Sequence, residues 1–373
     1  MTRSAPAALP ARLKGLARTV FYELFARIKG VDVLGPAIVR ELPTDSPYQV
    51  WLQQAEPAVP LHTGTMIDDV ATVPLRPWPQ LGEGVTGLYL RFAENQMLDG
   101  RIFAIPAGGK TAGERRFYEQ VIYCISGSGC TVLQQEGAPE QRVEWRQGDL
   151  FCVPLNVRHQ HFSLGARPTR ILAVTSFPLV LNTLGSEKFT RDNPFVFNDR
   201  YTGSPDYFVP VDAEHGLEVR TNLARDIRHA RTRPFDYRGR GNTTMRLLMA
   251  GNSMLSIHVS EMPPEAFKKA HRQSGEAFVL VLSGAGFSLA WPEGAFAKRR
   301  RIDWREGTLF SPPFFWYHQN LNPNPLPARY LAINSPTLVR NLGLRFSDQL
   351  EVDLEGVRKE WQEELERTRD KHP

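Results

Sequence analysis

The chain has little cysteine. Cys124, Cys130 and Cys152 are spread through 373 residues, and no Cys-x-x-Cys occurs. An odd count without that spacing excludes a disulfide framework and a zinc knuckle. Reduced, buried thiols in a cytoplasmic protein are the expectation. Long apolar runs are also missing. No stretch approaches the ~18 residues that cross a bilayer as a helix, so no transmembrane segment is predicted. There is no G-x-G-x-x-G, no P-loop and no G-x-S-x-G. Their absence removes dinucleotide, NTPase and serine-hydrolase readings. Charge imbalance is small, with a formal net charge of +5. Lys and Arg are scattered, with neither a basic-aromatic stripe nor a helix-turn-helix pattern, so no nucleic-acid partner is expected. A small acidic ligand suits the surplus.

Acid is absent from residues 1–22, which carry Arg3, Arg12, Lys14 and Arg18. Leu9, Leu13, Leu16, Val20, Leu24 and Ile28 recur at helical spacing. They predict an amphipathic helix that packs on the body or on a partner chain. A membrane-surface or targeting role is the alternative. The continuous apolar core of a secretory signal is missing.

Helix breakers are plentiful: Gly 29 and Pro 29. They favour many short strands and turns. From about residue 86 the chain alternates apolar and polar residues, as in TGLYLRFA, RIFAIPAGG, EQVIYCISGSGCTVLQ and TRILAVTS. Turn signals at intervals of ~10 residues point to an all-β sandwich or barrel. The rhythm breaks over 183–235 and restarts in SMLSIHVSEM, EAFVLVLSGAGFSLAW and ARYLAINS. The predicted layout is a helical arm over 1–60, a first barrel over 61–182, a connector over 183–235, a second barrel over 236–345, and a C-terminal helix within 346–373.

One pattern is written twice. Residues 145–161 read WRQGDLFCVPLNVRHQH and residues 304–320 read WREGTLFSPPFFWYHQN, an offset of 159. Pro168, Arg170, Leu172, Ala173 and Ser176 recur at the same offset as Pro327, Arg329, Leu331, Ala332 and Ser335. Gly127 and Gly129 recur as Gly284 and Gly286 at offset 157, which a two-residue insertion reconciles. The chain therefore holds two copies of one β unit.

This unit resembles the cupin fold, and the duplicated chain resembles a bicupin: all-β, with two tandem double-stranded β-helix (jelly-roll) barrels. The family's second motif is matched by Gly307, Pro313, His318 and Asn322, with Phe315 in place of a Gly. Copy one matches it with Gly148, Pro154 and His159, with Asn156 for the Gly and Ser163 for the Asn. Counting back from Gly284, the first-motif ligand positions hold His271, Gln273 and Ala277. Counting back from Gly127, they hold Glu114, Arg116 and Gln120. Copy two keeps one of three ligands there, and copy one keeps none. Glu119 and Glu276 stand one residue early, where strand alternation turns a side chain to the opposite face.

The layout resembles gentisate 1,2-dioxygenase and related ring-cleaving oxygenases. That resemblance implies a dioxygenase-like oxidoreductase acting on a small acid, aromatic or otherwise, with Fe(II) or another divalent metal. Placed in copy two, the metal would be held by His271, His318 and Gln273, with His258 added if its strand turns it inward. Phe315, Tyr317 and Arg272 are the expected substrate-binding residues. Lys268, Lys269 and Arg272 flank His271, where a cation would meet an acidic substrate at the barrel mouth. Copy one offers Glu114, Arg116, Gln120, His159 and His161 as a remnant site. Arg115 and Arg116 there disfavour a cation and suit an anion. The alternative reading is a metal-free bicupin that binds a small molecule or catalyses an isomerase- or cyclase-type step. A homo-oligomer is expected in either case.

Overall fold

Alternation decides which way each strand faces. In the computed structural model, which describes residues 45–55, 59–209, 214–249 and 253–371, Val121, Tyr123 and Ile125 of strand Gln120–Ser126 enter one apolar cluster. Ile122 and Cys124 of the same strand enter another. The equivalent strand Ala277–Ser283 splits likewise. Phe278, Leu280 and Leu282 join the first cluster, while Val279 and Val281 face their own barrel. The first cluster draws on both repeats and forms a shared core where the large sheets pack face to face. Phe92 and Phe278 stack across it at 5.2 Å between ring centroids. Such sheet-on-sheet burial is the main favourable term in a fold of this kind. The predicted helix at the N-terminus lies outside the described residues.

Each repeat is a large sheet facing a smaller one. The first small sheet orders its strands Arg158–Ser163, Ser128–Gln134, Gln141–Arg146. The second orders Arg300–Arg305, Ala285–Trp291, Tyr317–Asn322, His271–Gln273 and Ser347–Gln349. Strands do not respect the repeat borders. Met66–Ile67 pairs with Leu309–Phe310 of the second repeat. Leu223–Ala224, 157 residues later, pairs with Leu150–Phe151 of the first. Glu218–Arg220 runs parallel to 246–248 in the second large sheet. Across the expected borders, 66–67 lends a strand to the second repeat, and the stretch 183–235 lends 223–224 to the first and 218–220 to the second.

Two carboxylates fasten this exchange. Buried Glu119 accepts hydrogen bonds from the backbone N–H groups of Ser253, Met254 and Leu255, those of Met254 and Leu255 at 2.9 Å. Buried Glu276 accepts from the N–H groups of Gln96, Met97 and Leu98 at 2.7, 2.9 and 2.8 Å. Both face away from their own barrel, as their strand parity requires.

Helix Pro47–Ala55 packs Tyr48, Trp51 and Leu52 into the first barrel. Helix Glu355–Lys371 packs Val357 and Trp361 against the second small sheet. No helix among the described residues is long and apolar enough to cross a membrane.

Candidate functional site

The two barrels bring the same positions together and fill them differently. Glu114 bridges to His159 in the first, and the equivalent His271 pairs with His318 in the second. In the first barrel Glu114 forms an ion pair with Arg116 and lies 3.7 Å from Arg101. Its Oε2 is 3.9 Å from His159 Nε2. Arg101 donates to Gln120 Oε1 at 2.8 Å, and Gln120 Nε2 lies 3.4 Å from His159 Nε2. Trp145 donates its indole N–H to Thr131 Oγ1 at 2.9 Å, and the same hydroxyl is hydrogen-bonded to His161 Nδ1 at 2.7 Å.

These charges are mutually satisfied. Burial works to raise the Glu114 carboxyl, but Arg116, Arg101 and His159 hold it well below the usual range. Burial pushes His159 down to about 4 and His161 to about 3, so both rings are neutral near pH 7. A divalent ion would have to displace a guanidinium from Glu114. The donor set does not fit a metal.

The second barrel is open. A cavity of about 740 Å³ is lined by His258, His271, Gln273 and His318, with Lys268, Asn320 and Tyr330. Smaller side chains make room. The position of Phe103 in the first repeat is Ser260 in the second, and those of Ile122 and Gln120 are Val279 and Ala277. His271 and His318 stand across a strand pair with ring centroids 4.2 Å apart. Their Nδ1 atoms face the carbonyls of Lys269 and Trp316 at 3.2 and 3.3 Å. That arrangement places the proton on Nδ1 and leaves both Nε2 lone pairs for the cavity. Burial pushes His318 down to about 4 and, with His318 beside it, holds His271 well below its ordinary value.

Two imidazoles so arranged match two positions of a divalent ion. The third donor is not there. Among the described residues no three His, Cys, Asp or Glu side chains group to hold a metal, and a neutral amide is a poor substitute. His258 lines the cavity, but its ring is depressed to about 3 by burial and then by Lys268, Arg246 and Arg238. A pocket walled by cations opposes a resident cation, so the residues present do not fit a three-ligand metal site.

The expected substrate contacts lie elsewhere. Arg272 falls between His271 and Gln273 and turns to the outer face. There it grips Glu293 through two bonds of 2.6 and 2.7 Å. Its guanidinium lies 5.2 Å from the Phe315 ring centre and 4.8 Å from that of Tyr317. Tyr317 donates its hydroxyl to Asp348. Arg272, Phe315 and Tyr317 are absent from the cavity wall. They form a clamp that holds the C-terminal segment 346–349 against the strand of His271. Lys269 points outward to Glu351 at 2.6 Å. Lys268, of opposite parity, is the one that enters the cavity. Arg238, Arg246 and Arg345 also line it and were not expected. For Arg246 the signal was alternation within TMRLLM. Arg238 ends a single 3-10 turn, Asp236–Arg238, and Arg345 comes from a loop, so no periodicity points to either.

No family model and no curated protein matches the sequence. Among solved structures the chain is similar to the Lactobacillus farciminis oxalate decarboxylase in its formate complex. The TM-score is 0.50 at 11% identity, covering 73% of this chain and 86% of that one. A point mutant of Bacillus subtilis oxalate decarboxylase matches at TM-score 0.50 and 13% identity, covering 79% and 84%. A further structure of that enzyme, with the same figures, concerns its Mn(II) centres. At this identity the likeness carries the fold: two jelly-roll cupin barrels in one chain.

Proposed function

We propose that the chain handles a small acidic molecule in its C-terminal barrel, and that His271 and His318 work on it as a neutral pair. The carrying observation is the contrast between barrels: one interior closed by an internal ion cluster, the other an open cavity with two free imidazole nitrogens. Both imidazoles are neutral near pH 7, and an anion bound beside them would lift their low values toward that pH, which suits a general-base step such as isomerisation or cyclisation. Arg238 and Lys268, which bear on the His271 ring, would hold the anionic part of the ligand.

Metal-assisted chemistry at the same pair is the second reading. It is favoured by the closeness of the two rings, 4.2 Å between centroids, and by the Mn(II) centres of a structural neighbour. The finer expectation of a ring-cleaving iron dioxygenase needs a third ligand that Gln273 does not supply. Elemental analysis of protein loaded anaerobically with Fe(II) or Mn(II) separates the readings. Metal well below one per chain, together with small-acid binding that His318→Ala weakens, supports the first. Stoichiometric metal that leaves on His271→Ala or His318→Ala supports the second. No small-acid binding and no metal would sink both.

A further inference from the structure

Among the described residues the charge lining the second barrel is one-sided. Arg220, Arg238, Arg246, Lys268, Arg340 and Arg345 face the cavity, against Asp206 and Glu218. None of these six cations forms an ion pair among the described residues. Some arginines elsewhere do meet carboxylates, as in Arg272–Glu293, Arg329–Glu261 and Arg225–Asp149.

Lys268 is the sharpest case. Its side chain is buried, with only 4% exposure. Its ammonium lies 4.8 Å from the Tyr330 ring centre and meets no hydrogen-bond acceptor among the described residues. The ammonium reaches the cavity, so it depends on what fills that space, water or an anion, for its hydrogen bonds. Among the described residues the Arg246 guanidinium has only the Phe235 ring, at 5.6 Å. Arg238 touches Gln349 at 3.0 Å and the Tyr237 ring at 5.5 Å, and meets no carboxylate. Burial, then Arg246 and Arg345, push its guanidinium below the ordinary range, against the pull of Tyr237 and Tyr330. Like charges so gathered repel one another unless an anion sits among them.

From Lys268, Arg238, Arg246 and Arg345 around one cavity, we infer that the ligand carries at least two negative charges: a di- or tricarboxylate or a phosphorylated acid. This rests on the C-terminal barrel being the working site. A single carboxylate would neutralise one of these cations and leave the others facing each other. The cavity of about 740 Å³ holds a molecule much larger than a two-carbon acid.

Titration calorimetry at low and moderate salt, with citrate, inorganic pyrophosphate and benzoate as probes, tests this. Citrate or pyrophosphate binds at least about tenfold more tightly than benzoate, and Lys268→Met and Arg246→Gln each weaken it by about tenfold or more. The stronger of the two polyanions assigns carboxylate or phosphate chemistry. Arg246→Gln is on an exposed position and keeps the test open if Lys268→Met does not fold. Benzoate binding as tightly as citrate overturns the inference and leaves the C-terminal site standing, as does polyanion binding indifferent to both substitutions. No binding of any probe overturns both.

Discussion

Glu119 and Glu276 occupy equivalent positions, and each carboxylate caps three consecutive backbone amides that lead into a strand of the opposite barrel. The pair is reciprocal, as the duplication requires. Burial raises Glu276 to about 7, while the three amide donors work to lower it. Each side also ties its own strand to the next helix: Ser176 Oγ accepts from Glu119 N–H and Ser335 Oγ from Glu276 N–H, at 3.0 and 2.9 Å. Removing a carboxylate strands buried N–H groups in the shared core. Glu119→Ala and Glu276→Ala each lose about 3 kcal/mol of stability, and the Gln variants lose less because an amide oxygen still accepts. Urea unfolding measures this. Midpoints within error of the wild type would show that water replaces the clasp.

The motif glycines missing from both copies leave a backbone cost. Asn156 and Phe315 stand in their places, with φ of 60° and 64°. Asn tolerates that region, and its amide donates to the carbonyls of Asn193 and Phe195 at 3.0 and 2.7 Å. Phe315 has no such bond and is held by its contacts to Arg272 and Phe346. At both positions the Gly variant is more stable than the Ala variant by about 1 kcal/mol, because only glycine adopts positive φ without steric cost. Thermal melts of the four variants check the order. Ala at or above Gly at both sites would refute it.

Much of the fold was legible because both copies repeat the same hairpin, Trp-Arg-x-Gly-x-Leu-Phe. The parity of Glu119 and Glu276 was legible too, but their partners were not, since those are backbone amides that any sequence offers. The strand exchange escaped notice because Met66–Ile67 and Leu223–Ala224 are two residues each, too short for periodicity. At the site, His271 and His318 were found from motif spacing. Arg272 and Tyr317, expected to contact substrate, lie on the outer face. Each is one residue from a cavity-facing histidine and so faces the other way. Lys268 was visible as one of three candidates, and only the fold separates it from Lys269.

Acid should loosen the first barrel. His159 and His161 are buried and held to about 4 and about 3, below the value of ~6.5 in an unfolded chain. A depressed folded value means the stabilisation is complete above pH ~6.5. It is lost as pH falls through about 4, with protons taken up on unfolding. Each ring contributes on the order of 3 kcal/mol at neutral pH. Protonating His161 also forces its bond with Thr131 to reverse direction. The melting temperature should fall steeply between pH 6 and 4, and His161→Gln should flatten that fall. A profile unchanged by the substitution would place the acid sensitivity elsewhere.

Restoring one ligand tests what the second barrel lacks. Gln273 lies two residues from His271 on the same strand face and lines the same cavity. Gln273→His therefore adds a third imidazole beside two whose Nε2 atoms are already free. Three histidines with an open position are a sound set for a divalent ion. Zn²⁺ or Mn²⁺ affinity should rise at least about tenfold over wild type. Adding Lys268→Met should raise it further, since a nearby ammonium repels the ion. Calorimetry with each metal reads both effects. If Gln273→His gains nothing while the double variant does, the surrounding cations decide what the cavity accepts. If neither gains, the third position does not point at the histidine pair.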